Sequence, residues 1–111
     1  MQHTMNVKTK YYNLLKSGKK IIELRLFDEK RQKIKVGDEI IFSDSSNSSD
    51  NFKATVLKLH RAESFDALCQ VIKPKQAGFS SKEDLISGLE EFYSPVAQKQ
   101  FGVVGIEVKK I

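Results

Sequence analysis

Ser17-Gly18-Lys19-Lys20-Ile21-Ile22-Glu23-Leu24-Arg25-Leu26 is the stretch around which the rest of the chain organises itself. It starts where one periodicity ends. Between Val7 and Ser17 the apolar residues Val7, Tyr11, Leu14 and Leu15 fall at helical spacing on one face. Gly18 then supplies the left-handed residue that commonly closes a helix, and Lys16 suits the negative end of the helix dipole. From Ile21 to Phe27 the period becomes two and the composition turns to strand formers, which predicts a β-strand with Ile22, Leu24 and Leu26 on one face. The opposite face carries Ile21, Glu23, Arg25 and Phe27, so a carboxylate and a guanidinium project together, roughly 7 Å apart along the strand. Lys20 leaves the helix cap just before the strand begins, where its side chain can reach over the same face.

Downstream, Asp28 to Lys35 is polar and leads into Val36-Gly37-Asp38, a turn that Asp38 caps. Ile40-Ile41-Phe42 reads as a second strand. Residues 43–51, Ser-Asp-Ser-Ser-Asn-Ser-Ser-Asp-Asn, have nothing apolar to bury and are expected to form a flexible polar loop without chemistry. Phe52 to His60 alternates as a third strand with an irregularity near Leu57, and His60 at its end is expected on the surface. Ser64 N-caps a helical stretch to Ile72 that places Cys69 on a buried stripe. Pro74 and Gly78 interrupt the chain before Ser80-Ser81-Lys82-Glu83 opens a helix carrying Leu85, Ile86, Leu89, Phe92 and Tyr93. Pro95 closes that segment, and Phe101 to Val108 supplies a last strand in which Gly102 and Gly105 mark bulges or tight curvature. Helices are too few for a doubly wound parallel sheet. The pattern predicts an α+β fold, a small barrel with about three flanking helices.

At 111 residues and 40% hydrophobic, the chain fits a single domain spanning 1–111. One cysteine and two histidines exclude an internal disulfide and leave too few ligands for a zinc site, so neither metal nor cofactor is expected. No apolar run approaches the roughly 20 residues of a membrane-spanning helix. None follows Met1 as a secretory signal would, so a cytoplasmic location is expected. The 19 Lys+Arg exceed the 14 Asp+Glu by 5, with a pI near 9.3, which makes a polyanionic partner plausible. The excess is spread over Lys8, Lys10, Lys16, Lys19, Lys20, Lys30, Arg31, Lys33 and Lys35, with a smaller group at Lys109 and Lys110.

Three stretches, taken in order, resemble the ASCH domain (activating signal cointegrator homology), a branch of the PUA-like superfamily. They are Ser17 to Leu26, Ile34-Lys35-Val36-Gly37-Asp38-Glu39-Ile40-Ile41-Phe42, and Gly102-Val103-Val104-Gly105-Ile106-Glu107. The resemblance covers nearly the whole chain. It implies a PUA-like β-barrel of five to six strands, with a cleft near Gly18 to Arg25 that binds RNA or a modified nucleoside. The candidate ligand-binding residues are Lys19, Lys20, Glu23 and Arg25, flanked by Lys16 and Tyr12. An arginine can hold a phosphate or stack on a base, a lysine adds a point charge, and a glutamate accepts from an amino group such as that of cytosine. Tyr11 lies on the apolar stripe and is expected in the core, leaving Tyr12 to stack on a base. Lys8, Lys10, Lys16, Lys33 and Lys35 are the candidate phosphate contacts.

One bacterial branch that this chain resembles removes the acetyl group from acetylcytidine with a lysine, a threonine and a glutamate. Lys20 matches the lysine, but Glu23 stands at the threonine position, and Gln76 to Phe79, where the glutamate would fall, contains no carboxylate. An amidohydrolase is therefore the second expectation, with Lys20 and Glu23 as its catalytic candidates. A protein-binding adaptor is the third.

Overall fold

A computed structural model describes all residues, 1–111. Its first element is a strand that the sequence pattern conceals: β1 (Gln2–Val7) buries only Met5 and Val7, too short an alternation to stand out among polar neighbours. Helix α1 (Thr9–Ser17) therefore starts after Val7, and Gly18 closes it at φ 82° with its N–H bonded to the Leu15 carbonyl. Strand β2 (Ile22–Leu26) follows as expected. β3 (Glu39–Asp44) and β4 (Asn47–Ala62) form a long hairpin, and β5 (Val103–Lys110) ends the chain.

Residues 43–51, expected as a loop, form the end of β3, a turn and the start of β4 at the tip of this hairpin. A β-ladder is held by backbone, so apolar side chains are not needed to build it. The polar side chains there also have partners on α1. Asp44, 7% exposed, accepts from the Thr9 hydroxyl at 2.6 Å, and Asp50 accepts from the Tyr12 hydroxyl at 2.8 Å.

The strands lie in the order β1-β3-β4-β5-β2, with β1 and β3 parallel and every other pair antiparallel. The sheet is a half-barrel whose free edges are β1 and β2. The two edges are joined by a side chain, since Arg25 Nη2 donates to the Asn6 carbonyl at 2.9 Å. A register shift between Val56 and Lys58 produces the irregularity expected near Leu57 and turns that residue outward. Gly105 lets β2 lie close on β5, because a Cβ there would sit 3.1 Å from Ile22 Cγ2.

Four helices flank the sheet. α2 shrinks to Phe65–Leu68, while α3 runs over Lys82–Glu90 with the Ser81 hydroxyl accepting from the Asp84 N–H at 3.1 Å. Pro95 opens a helix rather than closing one: α4 (Pro95–Phe101) has proline in its first turn, where no N–H is required, and Ser94 as its N-cap. Phe101 belongs to α4, and Gly102 reverses the chain into β5 at φ 72°. His60 is not a surface residue, since its Nε2 lies 2.9 Å from Glu107 Oε1 across β4 and β5 with the ring 12% exposed.

The core forms two clusters. One packs Met5, Val7, Tyr12, Phe42, Phe52 and Ile106 on the concave side of the sheet. The other packs Ile22 and Leu24 of β2 against Phe65, Leu68, Leu85 and Leu89 of α2 and α3. β2 thus carries α3 on one side and leaves its polar face at the opening between the two sheet edges.

Candidate functional site

At that opening three charges meet. The cap at Gly18 directs Lys20 back over α1, with its N–H bonded to the Leu14 carbonyl at 3.0 Å, and the Ile21 N–H then bonds to the Gln76 carbonyl at 2.9 Å. Lys20 Nζ lies 2.9 Å from Glu23 Oε1, and Arg25 Nη2 lies 2.8 Å from Glu23 Oε2, to which Arg25 Nε also donates at 2.9 Å. Strand parity brings Glu23 and Arg25 to one face, as the sequence indicates. Burial is deeper than the sequence suggests, with Lys20 and Glu23 only 4% and 5% exposed. Gly78, at φ 87°, makes room for the lysine stem, because a Cβ there would lie 3.1 Å from Lys20 Cδ.

Burial alone would raise the Glu23 carboxyl's pKa. The Lys20 ammonium and the Arg25 guanidinium override it and hold the group below its ordinary range. Burial likewise works against the Arg25 charge, and Glu23, with the Tyr93 hydroxyl, raises its pKa above the ordinary value. The surroundings therefore favour the charged forms of both Glu23 and Arg25.

A cleft of about 190 Å³ opens over these charges. Its walls are aromatic: Tyr11 of α1, Phe79 ahead of α3, and Phe92 and Tyr93 beyond its C-terminus. Lys20 Nζ sits 4.7 Å from the Tyr11 ring centroid and Lys8 Nζ 4.1 Å from that of Phe92, so cations face two of the rings. Phe92 is 52% exposed at the rim. Gly88, inside α3, lines the same cleft, and a Cβ there would meet Phe79 Cε1 at 3.1 Å.

Lys20, Glu23 and Arg25 come together as the sequence indicates, but the other expected ligand contacts lie elsewhere. Lys19 is exposed and does not line the cleft. Lys16 reaches the hairpin tip instead, 3.4 Å from Asp50. The two tyrosines exchange the expected places: Tyr12 is fully buried, and Tyr11 faces the cleft. The helix begins two residues later than Val7, and the concave sheet takes the Tyr12–Leu15 face as its cover. Burial, with the hydrogen bond to Asp50, pushes the Tyr12 phenol up to about 12. Of the five candidate phosphate contacts only Lys8 lines the cleft. Tyr11, Phe79, Phe92 and Tyr93 were not legible as walls, since each also reads as core. Gly88 did leave a trace, as a glycine inside a helical pattern lowers helix stability and calls for a packing reason.

Asp38 caps its turn as expected, accepting from the Lys35 N–H at 3.0 Å, and is also 2.8 Å from His3 Nε2. The His3 contact and then the Lys35 N–H bring its pKa down to about 2. Glu23 and Asp38 are both lower in the folded chain than the ordinary carboxyl value near 4. Their stabilisation is complete above that value and is lost as pH falls through the folded pKa. Urea midpoints measured from pH 7 downward should hold steady and then fall below about pH 4. A midpoint unchanged to pH 2 would contradict these assignments.

The sequence profile of the ASCH domain family matches residues 5–111. Among solved structures, the hypothetical protein PH0355 is 34% identical, with each chain covered over 100% of its length and a TM-score of 0.88. Protein PF0455 from Pyrococcus furiosus is 32% identical at TM-score 0.78, covering 100% of this chain and 98% of that one. A mutant of the ZmASCH protein from Zymomonas mobilis shares the fold at TM-score 0.68 with 10% identity, over 96% of this chain and 66% of that one. No curated protein matches the chain. No helix is long and apolar enough to cross a membrane.

Proposed function

The chain belongs to the ASCH domain family, and on that premise we propose that it binds RNA, or a nucleoside derived from it, by taking one base into the cleft between β1 and β2. ASCH is a PUA-like fold associated with RNA binding. The observation that carries the finer reading is the buried Lys20–Glu23–Arg25 ion-pair chain beneath aromatic walls. Polar groups at the floor orient a ring's edge, and Tyr11 and Phe92 offer faces on which it can stack. The volume of about 190 Å³ lies below the roughly 300–1,000 Å³ typical of drug-sized ligands, which suits a single ring system better than a whole nucleotide. The sugar and phosphates would then remain outside, near Lys8 and Lys10. A second hollow, of about 480 Å³, is rimmed by Glu63, Asp66 and Glu90 and would repel a polyanion. The expected cytoplasmic location places the protein where such RNA is available.

Hydrolysis of an acylated cytidine is the weaker reading. No serine, threonine or cysteine lines the cleft to act as a nucleophile. Glu23, held low and clamped between two cations, is a poor proton acceptor. The Tyr11 phenol is raised, by burial and then by the nearby carboxylates Asp84, Glu23 and Glu91, and so is harder to ionise. For an adaptor, the exposed apolar residues Val36, Leu57 and Val71 fall in two turns and on β4, and Val96 and Phe101 on α4, far apart along the chain.

Fluorescence anisotropy of labelled single-stranded and duplex RNA at two salt concentrations tests the binding reading. Wild type should bind with a negative salt slope. Arg25→Ala should weaken binding about tenfold or more, by removing a base-edge donor. Lys109→Ala, a change at an exposed residue outside the cleft, should have little effect. Equal losses in both variants would reassign binding to diffuse surface charge.

A further inference from the structure

We propose that Arg61, laid flat on the Phe27 ring, anchors a phosphate of the RNA strand beside the nucleotide whose base enters the cleft. The inference rests on the base-binding reading above and extends the binding surface from the cleft across the sheet to β4.

The chain has three arginines, and their commitments differ. Arg25 pairs with Glu23 and Arg31 with Asp28, whereas Arg61 enters no ion pair. It is nonetheless held in place: its Cζ lies 3.9 Å from the Phe27 ring centroid, while the residue as a whole is exposed. Phe27 is fixed in turn, packed against the first core cluster. A stacked guanidinium presents its planar fork of N–H donors in one orientation, and that fork matches two oxygens of a phosphate. A long exposed cation ordinarily gives up rotamer freedom when it binds, and the stack has already restricted that freedom.

The strand register fixes where this fork stands relative to the cleft. Arg25 of β2 and Arg61 of β4 both sit opposite Val104 of β5, so the three lie in one row on one face of the sheet. Two strand spacings put the arginine backbones roughly 10 Å apart. The Asn6 carbonyl, two residues before Lys8, contacts Arg25 from the β1 side, and Arg61 lies on the β5–β4 side. A strand with one base in the cleft carries a phosphate on each side of that nucleotide. Lys8 stands beside one and Arg61 beside the other. The local charge agrees, since Lys30 and Lys33, in the turn that Gln32 ties to the Phe27 carbonyl, are exposed and outnumber the single unpaired carboxylate there, Glu29. Glu63, two residues after Arg61, lines the second hollow beside α2 and α4.

The test is anisotropy of a labelled single-stranded RNA of mixed sequence, titrated over several salt concentrations with wild type, Arg61→Ala, Arg61→Lys and Arg25→Ala. A thermal melt of each variant keeps loss of fold apart from loss of contact. Arg61→Ala should bind roughly tenfold more weakly, the loss expected of one hydrogen-bonded charge contact, and its salt slope should be shallower by about 1. Arg61→Lys should recover the slope and only part of the affinity, since it keeps the charge without the stacked fork. Full recovery by lysine would overturn the role of the stack, and a loss of affinity with no change in slope would overturn the phosphate contact. If Arg61→Ala binds like wild type while Arg25→Ala is impaired, the anchor is overturned and base binding stands. If neither substitution changes binding, or the RNA is not bound at low salt, both fall.

Discussion

Glu23→Gln should lower the free energy of unfolding by about 3–5 kcal/mol, the usual cost of removing one partner from a buried ion pair. The reason lies with the groups left behind. Lys20 is 4% exposed and the Arg25 side chain 15%, so both cations would remain largely out of water without their shared counter-charge. Gln keeps the shape of Glu and changes only the charge, so no cavity confuses the measurement. The double variant Lys20→Met, Glu23→Gln should lose less than the sum of the two single changes, because removing both members spares the unpaired charge. Urea denaturation of the three variants with the wild type gives the cycle. A Glu23→Gln cost below about 1 kcal/mol would mean that the cations find water once released, and that the pair is a surface bridge.

Gly88→Leu should weaken RNA binding roughly a hundredfold with little loss of stability. A glycine in a helix interior costs roughly 0.5–1 kcal/mol, so replacing it with a good helix former favours α3. The new side chain would press on the Phe79 ring, which its Cβ meets at 3.1 Å, and its remaining atoms would enter the cleft. The two effects on stability oppose each other. The unfolding midpoint should therefore stay near that of wild type while affinity falls by roughly a hundredfold, as expected when a base loses both its stacking and its edge contacts. Anisotropy and thermal melts on the same preparation separate these outcomes. Binding that survives with the fold intact would place the ligand outside the cleft.

The fold was legible where side chains alternate and obscure where the backbone works alone. Ile22 to Leu26 declared itself through period two, and Gly18 through its place after the last helical residue. β1 buries only two residues, and the tip of the β3–β4 hairpin is held by Asp44 and Asp50 rather than by apolar packing. Pro95 reads equally well as a helix stop and as a first-turn residue, and only the Ser94 cap distinguishes the two.

The site divides along the same line. Lys20, Glu23 and Arg25 are neighbours in sequence, so parity brings them together. The Tyr11, Phe79, Phe92 and Tyr93 walls come from three segments that only the tertiary fold assembles. Tyr11 and Tyr12 differ by a rotation of about 100° on one helix, and which of them faces the cleft depends on where that helix begins.

The most direct test of the central claim is an amide chemical-shift titration of the labelled protein with single-stranded RNA. The largest shifts are expected at Asn6 to Lys8, Lys20 to Arg25, Phe79 and Gly88 to Tyr93, the segments that enclose the cleft. Shifts confined to exposed lysines such as Lys33, Lys35, Lys109 and Lys110, with those segments unmoved, would contradict it.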